Sequence, residues 1–455
     1  MRAAQPTNGA VLPQLVQLAL PVIGLNILQV LALAVDTAMV GRLQGASTAL
    51  TGMSFATQLS FLLMVLMIGL TVGSVAFVAR AHGARDRARV DHIVAQSSTL
   101  AVSLGLIVAL VGNIIAIPLL RILGAEGTDL EAGLAYLRPS LLFAPATYLN
   151  ILLAACLRGV GNTRLAFFVA LGSNALNVGL NYLFILGGAG FPALGLTGAA
   201  LGTGLSQLAA VGTLLLLLAN GAEPALHIQP RIARIDRTLI SDLVRIGAPA
   251  AADMLILNAG FLSIVGMLGR IDSLAVAAHG MGLRVQALAF VPGMSISQAI
   301  GALVGQALGG NNPARARTVL RYGAGLCVAV MSTLAAIIIF GRVPIIALFD
   351  IDPIGPLGLY AQEWMQLLGW CMPAVGLYIA FVGLFQGSGA TRTSLRINAL
   401  MTLLLQIPLS WILGFSFGMG TFGVWLALPL AFVGKAILGG IYVVRGDWAK
   451  TGARV

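Results

Sequence analysis

Twelve long apolar runs, separated by short polar loops, limit this chain to one kind of fold. A helix of about 20 residues crosses the hydrocarbon core of a bilayer, and each run is long enough to do so. The strands of a membrane β-barrel would instead be about 10 residues long and would alternate in polarity. The sequence therefore predicts an all-α polytopic membrane protein with twelve transmembrane helices. The predicted spans are 14–40, 47–78, 93–119, 131–156, 164–187, 194–219, 243–269, 274–307, 318–341, 358–386, 395–415 and 421–444.

The composition excludes a soluble globular enzyme. Only 9% of the residues are charged, whereas soluble domains contain about 25%. The net charge of +11 does not indicate nucleic acid as a partner, because basic residues collect in the cytoplasmic loops of membrane proteins. The chain contains no HExxH motif, no Gly-x-Ser-x-Gly motif and no P-loop, so we expect neither an enzyme nor ATP hydrolysis by this chain.

The distribution of basic residues predicts the topology. With the N-terminus in the cytoplasm, nineteen Lys and Arg residues fall in loops on the cytoplasmic side and five on the opposite side. Such an excess sets the orientation of membrane proteins, so we expect both termini in the cytoplasm. The cytoplasmic set includes Arg2, Arg231, Arg234, Lys450 and Arg454; the opposite set is Arg42, Arg121, Arg138, Arg270 and Arg342.

The chain contains an internal repeat. Pro21 recurs as Pro249, and the segment 158–164 recurs as 386–392 at the same offset along the chain. Six spans return the chain to the same side of the membrane, so the sequence predicts two parallel six-helix repeats. The expected domains are an N-terminal bundle at 1–219, a cytoplasmic linker at 220–242 and a C-terminal bundle at 243–455.

Asp36 is a carboxylate in the first apolar run, which also contains Pro21. Ionisable groups within membrane spans are rare and most often functional. Asp36 could exchange protons or bind a hard cation such as sodium. The alternative is an acid at the membrane surface that reaches the headgroups.

Polar residues in the fifth and sixth spans could assist Asp36. Asn174, Asn177 and Asn181 share one helical face, and they could supply oxygen ligands or contact the cargo. Thr203 follows Ala199 by four residues in a glycine-rich stretch. The alternative is that these residues serve only helix packing and interhelical hydrogen bonds.

The second half of the chain contains other ionisable residues within its spans. Asp253 and Arg284 are expected to form a structural ion pair, because each needs a partner in an apolar interior. Glu363 and Lys435 are expected at the ends of spans, where a charge reaches water.

Several motifs together resemble the multidrug and toxic compound extrusion (MATE) family of secondary antiporters. They include Val35-Asp36-Thr37, the Gly159-Val-Gly161 segment, Asn177 with Asn181, and the 277–279 segment Ala-Ala-His. The resemblance covers almost the whole chain. It implies two six-helix bundles around a central cavity, which export organic cations and other amphipathic compounds against an inward flow of protons or sodium.

The resemblance also implies roles for single residues. Asp36 matches the coupling aspartate of the first helix, and Pro21 matches a proline near which that helix bends. The residues that match the family's ion-coupling set are Asp36, Asn177, Asn181, Thr203 and the main chain of Ala199. Without Ala199, the same residues form the expected sodium site. Asp36, Asn174 and Asn177 are expected to line the cargo cavity.

Two departures from the family pattern bear on the coupling ion. Some members have an aspartate where this chain has Asn181, so this site has one negative charge fewer, which favours protons over sodium. The usual acid of the tenth helix is absent from the segment 375–378, so coupling is expected to rest on the N-terminal half.

These observations predict a monomeric efflux antiporter of the bacterial cytoplasmic membrane. It would use a proton or sodium gradient and no cofactor. Its partners would be organic cations or drugs, the coupling ion and the lipid bilayer. One alternative is a lipid-linked oligosaccharide flippase, although Arg284 is the one clear cation expected within the spans. A membrane-embedded transferase is the other alternative, and the sequence contains no cluster of residues suited to its chemistry.

Overall fold

The computed structural model describes residues 11–188, 190–226 and 235–449, which form helices joined by short turns. The helices of the first repeat are α1 (Val11–Val40), α2 (Ala46–Gly83), α3 (Arg87–Ile122), α4 (Gly127–Leu142), α5 (Ala144–Val160), α6 (Thr163–Leu186) and α7 (Gly195–Ala219). Those of the second repeat are α8 (Arg237–Leu268), α9 (Ser273–Gly309), α10 (Pro313–Phe340), α11 (Arg342–Ala347), α12 (Pro356–Ser388), α13 (Thr391–Ala399), α14 (Ile407–Trp411) and α15 (Gly420–Arg445). Short π-helical segments, Leu400–Gln406 and Ile412–Ser416, follow α13 and α14.

The helices account for the predicted number of membrane spans. In the described ranges, eleven helical segments are long and apolar enough to cross a membrane, and the bent pair α4–α5 supplies a twelfth. One of the eleven is Thr391–Ser416, which combines α13, α14 and both π-helical segments. The prediction of an all-α polytopic membrane protein with twelve transmembrane helices is confirmed.

The fourth span is broken, which the sequence prediction of one run at 131–156 missed. α4 and α5 meet at Phe143 with a bend of 58°. Pro145 lies in the first turn of α5. Because proline has no N–H and its ring clashes with the preceding turn, it favours a helix start at this point. The ring of Phe143 packs against Gly204 of α7, where a side chain would overlap it.

The chain divides into two compact units. The N-terminal unit comprises the described residues of Gly24–Ala248, and the C-terminal unit those of Met1–Ile23 and Pro249–Val455. These limits divide α1 and α8 near the repeated prolines Pro21 and Pro249. The predicted domains 1–219, 220–242 and 243–455 stay a prediction. Both chain termini, residues 227–234 of the linker and the basic residues Arg2, Arg231, Arg234, Lys450 and Arg454 lie outside the described residues.

The start of α8 is fixed within the N-terminal unit by Asp236. Its carboxylate accepts hydrogen bonds from Thr238 Oγ1 (2.5 Å), His92 Nε2 (3.0 Å) and the backbone N–H of Leu239 (3.1 Å). The hydrogen bond from Thr238, followed by that from His92, holds the pKa of the Asp236 carboxyl well below its usual range. Asp236 therefore both caps α8 and joins it to α3.

The start of α1 is fixed within the C-terminal unit. Arg315 Nη2, in α10, donates a hydrogen bond of 3.0 Å to Gln14 Oε1. Leu15 is fully buried in the hydrophobic core of this unit, and it approaches Gly323 of α10. The first residues of α1 and of α8 thus each pack on the third span of the other repeat.

Candidate ion-coupling site

Asp36 is buried near the end of α1, where polar side chains from two other helices surround it. Its side chain is only 4% exposed. Asn181 Nδ2 donates to Oδ1 of Asp36 at 2.5 Å, and Thr203 Oγ1 donates to Oδ2 at 3.3 Å. Each carboxylate oxygen therefore has one neutral donor, from α6 and from α7. The alternative interpretation required a carboxylate that reaches the lipid headgroups, whereas this one is enclosed by protein side chains.

Asn177 connects the two donors into one network. Its Nδ2 donates to Thr203 Oγ1 at 3.1 Å, and its Oδ1 accepts from Asn181 Nδ2 at 3.3 Å. The contact between the two asparagines follows from their spacing of four residues, which places them one turn apart on the same face of α6. Three helices are thereby joined through four side chains.

Glycines of α7 allow this network to form. A side chain at Gly202 would overlap Oδ1 of Asn181, and one at Gly198 would overlap the backbone carbonyl of Phe184. Small residues permit such close approach of membrane helices. The glycine-rich sequence of α7 thus brings the α6 asparagines within hydrogen-bond distance of Thr203 and Asp36.

The charge of Asp36 is not paired with a basic residue in the described ranges. Among the described residues, the ion pair that forms is His92–Asp236, and no Lys, Arg or His is in ion-pair contact with Asp36. Asn181 Oδ1 is buried and accepts no hydrogen bond from the described residues. A carboxylate with adjacent oxygen acceptors suits a hard cation such as sodium, and a buried carboxylate with neutral donors can equally take up a proton. The same part of the chain contains no cluster of three His, Cys, Asp or Glu residues that could hold a metal ion.

Tyr136 is a further member of the site that sequence reasoning missed. It lies in α4, is 8% exposed and interacts electrostatically with Asp36. α4 packs against α7, which places the tyrosine near the network. The signal in the sequence was a tyrosine inside the predicted span 131–156, but its helical face could not be assigned.

Three predicted residues do not join the hydrogen-bonded network. Asn174 is half-buried, and its Nδ2 donates to the backbone carbonyl of Ala170 in its own helix (2.8 Å). Ala199 is fully buried one turn before Thr203. Pro21 lies within α1, which continues as one helix from Val11 to Val40. The proposed roles of these residues stay predictions.

The predicted ion pair between Asp253 and Arg284 does not form in the described chain. Arg284 is exposed on α9, so it does not need a partner in the interior. Asp253 instead accepts a hydrogen bond from Ser394 Oγ at 2.8 Å. The charge near it is Lys435, with which it interacts electrostatically. Lys435 was expected at the end of a span, but it is fully buried within α15.

A family model described as MatE matches two segments of the chain, residues 21–183 and 249–412. The chain belongs to the MATE family of membrane transporters. The two matches begin at the repeated prolines Pro21 and Pro249, so they are related by the offset of the internal repeat. The resemblance inferred from the motifs is confirmed.

Relatives in this family match nearly the full length of the chain. A protein of Thermotoga maritima called "Probable multidrug resistance protein NorM" is 26% identical over 444 residues, which cover 96% of this chain and 93% of the relative. A protein of Bradyrhizobium diazoefficiens with the same name is 29% identical over 452 residues, covering 94% and 91%. A crystal structure of a MATE protein in a bent conformation superposes with a TM-score of 0.89 at 22% identity and covers 98% of this chain and 99% of its own. That structure supports the fold.

Proposed function

We propose that this MATE transporter is an efflux antiporter that exports organic cations and other amphipathic compounds in exchange for protons or sodium ions. The observation that carries the proposal is Asp36, a buried carboxylate with neutral donors and no basic partner among the described residues. A buried charge that the protein does not balance itself is suited to a mobile cation. Relatives named as multidrug resistance proteins support drug-like cargo.

The mechanism follows from competition for Asp36. An organic cation is attracted to the ionised carboxylate, and it loses that attraction when a proton or a sodium ion neutralises the site. Each ligand can bias the transporter only through its different affinity for the two conformations. The coupling is reciprocal, so entry of the ion favours release of the cargo.

The neighbouring residues have different proposed roles. Asn177, Asn181 and Thr203 orient the carboxylate and supply oxygen ligands when sodium binds, with the main chain of Ala199 completing this shell. Asn174 contacts the cargo together with Asp36 and Asn177. Since Asn181 is neutral, we favour the proton as the coupling ion.

The proposal includes the setting of the protein. The transporter works as a monomer in the bacterial cytoplasmic membrane, with both termini in the cytoplasm. The excess of basic residues in alternate loops supports this orientation.

The test is efflux of a fluorescent organic cation from proteoliposomes under an imposed proton gradient and, separately, a sodium gradient. Asp36→Asn keeps the shape of the side chain and removes its charge, so we expect it to abolish coupled efflux. Asp242→Asn is the matched control, because Asp242 is exposed on α8. Full coupled efflux by Asp36→Asn would refute the role of Asp36. If neither gradient drives cation efflux by the wild type, the antiporter proposal fails and lipid-linked substrates become the next to test.

A further inference from the structure

The C-terminal unit contains a second acid within a span, the half-buried Asp253, and, unlike the N-terminal site, a buried base, Lys435. Lys435 is 0% exposed, and its Nζ has no hydrogen-bond partner in the described residues. Oδ2 of Asp253 accepts from Ser394, whereas its Oδ1 is buried without a donor in the same part of the chain. Charged groups in an apolar interior are costly unless they are balanced, so this arrangement requires an explanation.

Two aromatic rings lie close to the ammonium group of Lys435. Nζ lies 4.7 Å from the ring centroid of Phe432 and 5.8 Å from that of Tyr378. Aromatic faces attract cations, and the attraction is larger where water is excluded. The rings therefore favour the charged form of a lysine that makes no hydrogen bond to the described residues.

Asp253 is the acid whose charge interacts with that of Lys435. The two groups are not in ion-pair contact, but Ser394 and Tyr378 connect them. Ser394 donates to Asp253 and is hydrogen-bonded to Tyr378, whose ring centroid lies 5.8 Å from Lys435 Nζ. The two charges also interact electrostatically. The other polar groups at Asp253 are neutral: Ser394 and Asn398 from the α13 side, and Tyr378 from α12. Lys435 is thus the cation that the structure brings near this carboxylate.

The acid and the base are both absent from the corresponding positions of the first repeat. The offset that relates Pro21 to Pro249 also aligns Leu25 with Asp253. α7 begins at Gly195 and α15 at Gly420, and alignment of these two helix starts pairs Ala210 with Lys435. Both charges are present in one repeat, and both are replaced by apolar residues in the other.

Asp36 and Asp253 occupy different positions in the two repeats. At the offset that relates Pro21 to Pro249, Asp36 aligns with Ile264, an apolar residue of α8 that is 1% exposed. Asp253 lies three helical turns before Ile264 in α8, which corresponds to about 16 Å along a helix. Asp36 and Asp253 are therefore not equivalent sites of the two repeats.

We propose that Asp253 forms a second cation site whose resident cation is the ammonium group of Lys435. This inference rests on the proposed exchange of ions at Asp36, because it assigns that exchange to the N-terminal unit alone. The carboxylate of Asp253 is balanced by the chain itself, so it takes up neither a proton nor sodium during transport. Removal of the lysine charge leaves the carboxylate open to either ion.

The test uses Lys435→Met in an Asp36→Asn background, which removes the first site. The purified full-length variants in detergent are assayed for binding of radioactive sodium at equilibrium and for the infrared carbonyl absorption of a protonated carboxyl group. We expect the single variant Asp36→Asn to show neither bound sodium nor a protonated carboxyl group at Asp253. The double variant Asp36→Asn/Lys435→Met should show bound sodium or a protonated carboxyl group, at about one equivalent per chain. Adding Asp253→Asn to the double variant should remove that signal.

Lys435→Arg is the matched control, because it keeps the positive charge and should produce no gain. Lys435→Gln is a second neutral variant, in case the methionine variant does not give a monodisperse, cooperatively unfolding protein. If the folded neutral variants gain neither bound sodium nor a carbonyl signal that depends on Asp253, Lys435 is not its counter-cation. The two proposals can fail separately. Equal ion binding by the wild type and Asp36→Asn would refute the role of Asp36. The gain at Asp253 is measured between Asp36→Asn and the double variant, so it would still be tested.

Discussion

Substitution of Gly202 by alanine tests whether the position of the Asn181 amide supports coupling at Asp36. The added methyl group would overlap Oδ1 of Asn181 and would lie 3.2 Å from its Cγ and from its backbone nitrogen. A carbon–oxygen contact needs about 3.3 Å, so the oxygen has to move by roughly 1 Å. The overlapping atom is the end of a side chain, so the amide can turn away while the helices stay in place.

The expected cost follows from the hydrogen bonds that the amide makes. Asn181 Nδ2 lies 2.5 Å from Asp36 Oδ1 and 3.3 Å from Asn177 Oδ1. A shift of about 1 Å takes either distance to the limit of a hydrogen bond or beyond it. A hydrogen bond to a charged group contributes about 1.5–3 kcal/mol, which corresponds to a factor of roughly 10 to 150 in an equilibrium constant. We therefore expect coupled efflux to fall by about tenfold or more.

The assay is gradient-driven efflux of an organic cation from proteoliposomes that contain equal amounts of folded protein. Gly212→Ala is the matched control, because it lies in the same helix and its added methyl group meets no atom. Both substitutions carry the same intrinsic gain in helix propensity, so their difference reports the contact with Asn181. Equal efflux by the two variants would show that the position of this amide does not matter for coupling.

The remaining predictions concern stability. Hydrogen bonds hold the pKa of Asp236 well below its ordinary value. Its ionised form therefore stabilises the fold fully at every pH above the pKa of aspartate in the unfolded chain, about 3.9. This stabilisation is lost as the pH falls through the pKa of the folded state. Asp236→Asn should therefore lower the unfolding temperature at pH 7, and its difference from the wild type should shrink below about pH 4. In Gly282→Ala the added methyl group overlaps the buried indole of Trp364, so we expect the free energy of unfolding to fall by about 1–3 kcal/mol. Gly280→Ala is the control, because its methyl group meets no atom, and it should leave the free energy of unfolding unchanged. Equal thermal denaturation curves for the two variants would contradict this prediction.

The sequence predicted the helices well, because each span is a continuous apolar run and length alone distinguishes it from a strand. It also identified the asparagines of α6, because a spacing of four residues places Asn177 and Asn181 on one face whatever the tertiary structure. The break at Phe143 was missed, although Pro145 gave a local signal for it. The role of Tyr136 depends on the packing of α4 against α7, which no local pattern contains.

The errors at Asp253 have a different physical origin. Arg284 and Lys435 both lie within predicted spans, and a single sequence does not say which face of a helix is turned inward. We predicted that Arg284 lies in the interior and that Lys435 reaches water, whereas Arg284 is exposed and Lys435 is fully buried.

The duplication gives both halves the same order of helices, yet their polar residues do not follow it. Asp36 corresponds to Ile264, and Asp253 to Leu25. The repeat conserves the apolar runs and prolines that determine the helices, whereas a buried charge needs particular neighbours from other helices. In the N-terminal unit the hydrogen-bonding neighbours of Asp36 are neutral, and we propose that a mobile cation balances its charge. In the C-terminal unit we propose that Lys435 balances Asp253, so two halves with one architecture would differ in whether they exchange an ion.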